Sequence, residues 1–315
     1  MKGVKVLCLL GPTGAGKTEA ALALAEAFHG AVVNFDSRQV YRELPVTTAQ
    51  PTPGEQAACP HLLYGFLPCN ESVSAGAYAD MAAPLIQGIA REGRTPILVG
   101  GTGLYLRALL EGLARIPDTP AHVREAVQRR WDEEGGLAMH ERLAQADPAY
   151  AAKVHFNDRQ RVTRALEVLE TTGRTFSQWH ASAVTPLDAA CLKMGIGLEK
   201  PLLDKRLALR IEAMLEAGAL EEVCRAMEAC GGLDAPGLSG IGCAELAAHL
   251  RGGLSLGAAK ALWLSNTKAY AKRQMTWFKK EPDVRWFGPG QAREMIGYAK
   301  AWLQQDEPAT VEASS

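Results

Sequence analysis

The chain reads as an α/β protein, a parallel-sheet core interrupted by an all-helical segment. Three observations predict this. An apolar run from Val4 to Leu10 leads through a glycine-rich turn into an alanine- and leucine-rich stretch, Glu19 to Phe28. That is strand, loop and helix in succession. A second apolar run, Ala31 to Phe35, follows the helix stop at His29-Gly30, and two strands bridged by a helix are parallel. Beyond Ile116-Pro117-Asp118-Thr119-Pro120, strand signals then vanish for about seventy residues and charged helical segments replace them.

The first turn is the most specific feature. Gly11-Pro12-Thr13-Gly14-Ala15-Gly16-Lys17-Thr18 fits the pattern G-x-x-x-x-G-K-[ST] without a mismatch. Glycines let consecutive backbone N–H groups turn inward, and the helix N-terminus adds partial positive charge. Lys17 then reaches the outer phosphate oxygens, and the Thr18 hydroxyl is placed to ligate Mg²⁺. An ordinary glycine turn before a helix is the bland alternative, but the strand and helix on either side favour a phosphate or diphosphate site in a P-loop NTPase-like core.

In such a sheet, ligands collect at the carboxyl ends of the strands. Asp36 sits there after the second strand, so Asp36-Ser37-Arg38-Gln39-Val40-Tyr41 lies where chemistry would occur. An aspartate in this position also commonly caps a helix, and position alone leaves both roles open. Residues 45–74, rich in proline and threonine, read as an irregular excursion over the same face. A helix over 75–91 precedes a third buried strand, Pro96 to Val99. That strand ends in Gly100-Gly101-Thr102-Gly103-Leu104-Tyr105, where glycines allow close backbone approach and Thr102 offers a hydroxyl.

Helices are expected at 121–134, 137–145 and 158–172, and a buried strand returns at Cys191 to Leu198. Further helices are expected at 201–217, 219–229, 243–251, 257–279 and 291–304. The domain reading is therefore a discontinuous α/β core over 1–117 and 190–305, a helical insertion over 118–189 and a loose tail over 306–315.

Composition bounds the function. Hydrophobic residues make up 47% of the 315-residue chain, charged residues make up 22%, and the net charge is −1. This excludes a globally basic nucleic-acid binder and requires any such site to be a local patch. Seven cysteines without a C-x-x-C pair predict reduced thiols, with neither a disulfide framework nor a zinc site. Few residues precede the first strand and no apolar run nears the roughly 20 residues a bilayer crossing needs. A cytoplasmic protein is expected. Two helices are basic: Gln160, Arg161 and Arg164 oppose an apolar face of Val162, Leu166 and Leu169, and Lys268, Lys272, Arg273, Lys279 and Lys280 crowd Trp277 and Phe278. Each suits either a solvated face or an RNA backbone with splayed bases.

Taken together, the motifs resemble the bacterial tRNA dimethylallyltransferases. The matching stretches are GPTGAGKT (11–18), DSRQVYREL (36–44), TAQPT (48–52), GGTGLYLRALLEGL (100–113), NDRQRVTRALEVLETTG (157–173) and AYAKRQMTWF (269–278). They span nearly the whole chain in the family's order. The resemblance implies a dimethylallyl group moved from dimethylallyl diphosphate to N6 of adenosine 37, 3′ of the anticodon, in tRNAs reading codons that begin with U. It implies Mg²⁺ as cofactor, Asp36 as general base, Thr102 as its hydrogen-bonding neighbour, and Arg210 or Arg206 on the diphosphate. It maps tRNA contacts onto Asp36, Ser37, Arg38, Gln39, Thr102, Arg124, Gln160, Arg161, Val162, Thr163 and Arg164, in a monomer.

The chain departs from the family at Arg38, usually methionine, and at Gln50, usually lysine. Gly242-Cys243-Ala244-Glu245 replaces a common tyrosine-lysine pair, and the zinc finger of eukaryotic relatives is absent. A phosphate-loop kinase shares the core but gives no reason for the basic helices or the insertion. A non-catalytic RNA-binding protein gives none for an intact Lys17, Thr18 and Asp36.

Overall fold

The computed structural model describes residues 3–181, 187–232 and 234–305; the expected tail over 306–315 lies outside them. The described residues fall into two compact units, those within Met1–Leu110 and Leu187–Ser315, and those within Glu111–Pro186.

The first unit is built on a six-stranded, all-parallel sheet of order β3-β2-β4-β1-β5-β6. Its strands are β1 (Val4–Leu10), β2 (Gly30–Asn34), β3 (His61–Leu62), β4 (Thr95–Val99), β5 (Ala189–Ile196) and β6 (Arg285–Phe287). β1 is central, and its Val6 to Leu10 are fully buried. Strands covered on both faces read as continuous apolar runs rather than alternations, which is why β1, β2, β4 and the buried end of β5 are visible in the sequence. β3 and β6, two and three residues long, carry no such run and are found only in the structure.

The helices, in chain order, are α1 (Lys17–Ala27), α2 (Pro53–Ala58), α3 (Ala75–Arg91), α4 (Gly103–Leu110), α5 (Ala121–Ala146), α6 (Pro148–Ala151), α7 (Arg159–Thr172) and α8 (Phe176–His180). They continue with α9 (Lys200–Glu216), α10 (Ala219–Ala229), α11 (Cys243–Leu250), α12 (Leu256–Phe278) and α13 (Ala292–Leu303). The excursion over 45–74 is less irregular than expected. It holds α2, started by a Thr52–Glu55 capping box, and β3, which extends the sheet beside β2.

The cysteine expectation needs correction. Cys69 and Cys230 are paired as a disulfide with Cα atoms 5.7 Å apart, inside the usual range for such a bond. They are 161 residues apart in sequence, so spacing gave no hint of the pair. Cys8, Cys59, Cys191, Cys224 and Cys243 are free.

The second unit packs α5 against α7 over a core that includes Val127, Met139, Leu143, Val162 and Leu166. Its two expected N-terminal helices are one run broken at Gly135, whose φ of 80° suits glycine.

Candidate active site

The loop between β1 and α1 turns on Gly11, Gly14 and Gly16, at φ 146°, 79° and 95°, conformations that side chains rarely adopt. α1 starts at Lys17 with Gly16 as its N-cap, so the helix dipole points into the loop. Lys17 Nζ donates to the carbonyls of Gly11 and Pro12, each at 2.9 Å. Burial lowers its ammonium to about 8; Asp36 opposes that shift and Arg210 reinforces it. Arg210, on α9, donates to Thr13 Oγ1 at 3.4 Å, and burial lowers its guanidinium as well. Arg206, one turn earlier, lies beside Gly16.

At the end of β2, a network of side chains holds Asp36. Its backbone N–H donates to Asn34 Oδ1 at 2.8 Å, and Asn34 Nδ2 donates to the carbonyls of Asp36 and Leu63. Asn34 is fully buried, so these bonds satisfy it. The Asp36 carboxylate accepts from the Arg38 N–H at 2.9 Å. The end of β4 closes the turn from the other side: Ser37 N–H donates to Thr102 Oγ1 at 2.9 Å, and Thr102 Oγ1 donates to Ser37 Oγ at 3.1 Å. Asp36 therefore ends no helix and caps none. It stands in a turn braced from two strands.

The phosphate loop and the Asp36 turn face one cavity of about 560 Å³ in the first unit, lined by Thr13 to Thr18, Asp36 to Gln39, Arg206 and Arg210, with Asn34 and Thr102 outside its lining. Part of its remaining wall is apolar, with Leu207, Ile211, Met214, Ile241 and Trp263, and the rings of Tyr64 and Tyr270. Thr47, Thr48, Ser239, Thr267 and Arg273 also line it, and the size and the side-by-side polar and apolar walls suit a small-molecule site. Burial raises the hydroxyls of Tyr64 and Tyr270, with the Asp36 charge adding to both. Among the described residues no group of three His, Cys, Asp or Glu could hold a metal ion.

Two expected RNA-facing side chains are engaged elsewhere. The Arg38 guanidinium donates to the carbonyls of Pro236 and Gly237 and lies over the Tyr41 ring at 5.0 Å. Gln39 Nε2 donates to the carbonyls of Thr48 and Ala49. Gln50, the other departure from the family pattern, donates to the Tyr41 carbonyl.

The remaining expected contacts belong to the second unit. Gln160 and Arg161 are exposed on α7, whereas Val162 and Thr163 are 0% and 2% exposed. Their side chains belong to the core of that unit and, against expectation, are not open to an RNA. Arg124 and Arg164 both reach Thr119, at its carbonyl and its hydroxyl.

The model of the IPP transferase family matches residues 39–281. The chain belongs to the IPP transferase family. A tRNA dimethylallyltransferase of Maridesulfovibrio salexigens is 50% identical over 95% of this chain and 97% of its own length. One from Oleidesulfovibrio alaskensis is 54% identical over 90% and 93%. Among solved IPP transferase structures, a full-length tRNA isopentenylpyrophosphate transferase of Bacillus halodurans superposes with a TM-score of 0.69 at 32% identity, covering 95% and 96% of the two chains. A eukaryotic dimethylallyltransferase acting on tRNA gives a TM-score of 0.80 at 26% identity over 96% and 80%. No helix among the described residues is long and apolar enough to cross a membrane.

Asn34, Tyr270 and Gln274 are site residues that sequence reasoning missed. Asn34 had a signal, being a polar residue at the end of an otherwise apolar run. So did Gln274, which falls on the buried stripe of α12 with Ala259, Trp263, Ala271 and Phe278.

Proposed function

We propose that the chain transfers a dimethylallyl group from dimethylallyl diphosphate to N6 of the adenosine 3′ of the anticodon in tRNA. One observation carries this reading: a phosphate loop, a strand-end carboxylate and an apolar wall share one cavity. A kinase needs the first two, but has no use for the wall of Leu207, Ile211, Met214 and Trp263 where a five-carbon chain would lie. Family membership supports transfer over phosphorylation.

In this reading the loop amides, Lys17, Arg206 and Arg210 bind the diphosphate and neutralise the charge that grows on it as the C1–O bond breaks. The adenine N6 lone pair forms the new bond to C1, and the carboxylate of Asp36 takes the N6 proton. Diphosphate leaves with the electron pair of the broken bond. Thr102, bonded to Ser37, keeps the turn that presents Asp36 in place. Desolvation by the apolar wall strengthens each of these interactions and keeps water from the electrophilic carbon.

The donor set fits Mg²⁺, a hard cation that binds one or two protein oxygens plus phosphate oxygens and water. The Thr18 hydroxyl would hold it, on the same cavity wall as Lys17. When bound it lowers the charge of the leaving diphosphate.

The target adenosine must leave the anticodon-loop stack at a cost of a few kcal/mol. Arg124, Gln160, Arg161 and Arg164 offer a local basic surface for the RNA backbone, which accords with a net charge of −1.

The test is to incubate the protein with Mg²⁺, dimethylallyl diphosphate and unmodified tRNA, and to look by nucleoside mass spectrometry for a five-carbon addition to adenosine. The expected result is a mass gain that depends on all three. No gain, with ATP consumed in the presence of a metabolite pool, returns the site to a kinase.

A further inference from the structure

Gln274 is a polar residue on the buried stripe of α12, 4% exposed. Burying a carboxamide is unfavourable unless both of its ends are hydrogen-bonded. Here both are, to backbone on two different site loops. Its Oε1 accepts from the Thr13 N–H of the phosphate loop at 2.8 Å, and its Nε2 donates to the Gly101 carbonyl at 3.0 Å. Gly101 begins the turn that carries Thr102, and Thr102 holds Ser37 beside Asp36. Tyr270, one helical turn before Gln274, lines the cavity beside Asp36.

The surrounding glycines fit this arrangement. A Cβ on Gly101 would collide with Gln274 Nε2 and approach Asp36 Oδ2 at 3.0 Å. A Cβ on Gly103 would collide with the Trp277 indole, one turn further along α12. The first and last glycines of Gly101-Thr102-Gly103 thus make room for one helix to press two side chains against the turn.

We infer that Gln274 is a positioning residue that clamps the leaving-group loop to the Gly101-Thr102 turn, which itself braces the turn bearing the general base. Its amide spans the two backbones and sets the distance between the diphosphate and the acceptor nitrogen. The inference rests on the prenyl-transfer reading for its kinetic consequence. The clamp itself is a statement about two loops. The Thr13 amide is taken by Gln274 and is not a phosphate donor, so the role of this bond is geometric. Misplacing a reacting group by about 1 Å can cost on the order of 10²-fold in rate.

Two variants test it. Gln274→Met keeps the volume and removes both bonds; Gln274→Glu keeps the acceptor for Thr13 and loses the donor to Gly101 unless its carboxyl carries a proton. For Gln274→Met we expect kcat lower by about 10–100-fold, with KM for tRNA within about twofold of wild type. Hydrogen exchange should quicken in the peptide covering 11–18 and stay unchanged in β1 and β4. Gln274→Glu should be less impaired, with an activity optimum displaced to lower pH, where the introduced carboxyl is protonated and donates again.

An unchanged kcat overturns the inference, and so does faster exchange across the whole sheet, which would make Gln274 a packing residue. If Gln274→Met does not fold, the pH profile of Gln274→Glu decides, and an undisplaced optimum overturns the clamp. If the wild type transfers no prenyl group, the proposed function fails, and the exchange comparison alone then decides the inference.

Discussion

The two strand ends that form the site are built on opposite plans. The loop after β1 is almost entirely backbone: three glycines at positive φ, a helix N-terminus and one lysine folded over its own carbonyls. The turn after β2 is almost entirely side chain: Asn34, Ser37, Arg38 and Gln39 reach partners as far away as Thr102 and Gly237. A backbone cradle serves any phosphate, because it reads charge and shape. A side-chain turn can be tuned to one reaction. The comparison teaches that binding is generic at one end of the cavity and that chemistry is set at the other.

The largest effect should come from the side-chain end. Asp36→Ala is expected to lower kcat by roughly 10²–10⁴-fold, the range for losing a general base, while tRNA affinity changes by no more than a few-fold. Single-turnover transfer and equilibrium binding on the same tRNA measure the two separately. Equal losses in both would make Asp36 a recognition residue and erase the contrast between the two ends.

The contrast also explains what the sequence could show. The phosphate loop was legible because its geometry is local: glycine positions and flanking elements are adjacent in the chain. β1, β2 and β4 were legible because burial leaves a nearly continuous apolar run, and β5 because its buried end, Met194 to Ile196, keeps one. Asp36 could be named by position, but its surroundings could not. The Asn34–Asp36 turn needs Leu63, the Thr102 bond bridges 65 residues, and the Gln274 clamp bridges 261. Arg38 was expected to contact RNA because it maps onto a family position that does, and only the fold places Pro236 and Gly237 against its guanidinium. The Cys69–Cys230 pair was hidden in the same way.

At the backbone end the expected effect is a pH dependence. Burial holds the Lys17 ammonium at about 8, against 10.5 for an ordinary lysine. Below pH 8 the group is charged in both folded and unfolded chains, and the folded state carries the full desolvation cost. Between 8 and 10.5 the folded protein sheds the proton first, so this residue makes stability rise with pH across that window. Diphosphate binding has the opposite sign, because it needs the ammonium. Affinity for dimethylallyl diphosphate should fall by about tenfold from pH 7 to pH 9. Calorimetry at pH 8 in buffers of different ionisation enthalpy should record uptake of about half a proton. In Lys17→Arg, whose guanidinium stays protonated, the fall should disappear. A wild-type affinity that is flat over this range removes Lys17 from the diphosphate.

The smallest effect belongs to the second unit, where Arg161 and Arg164 already have partners on their own helix. Arg161 lies 3.4 Å from Asp158, and Arg164 lies 3.7 Å from Glu167. The exposed Arg161–Asp158 pair contributes at most about 1 kcal/mol, so Arg161 can turn to an RNA phosphate with little penalty. Turning Arg164, by contrast, leaves the buried Glu167 carboxylate and the Thr119 hydroxyl without it. Removing one cation that neutralises a phosphate should reduce the slope of log affinity against log salt by about 0.7–0.9. Changing both to alanine is therefore expected to flatten that slope by about 1.5, with kcat at saturating tRNA unchanged. Because Val162 and Thr163 between them are core residues, alanine there should instead lower the melting temperature and leave the slope alone. A slope that responds to Thr163 and not to its arginine neighbours would turn the helix around and place its buried face against the RNA.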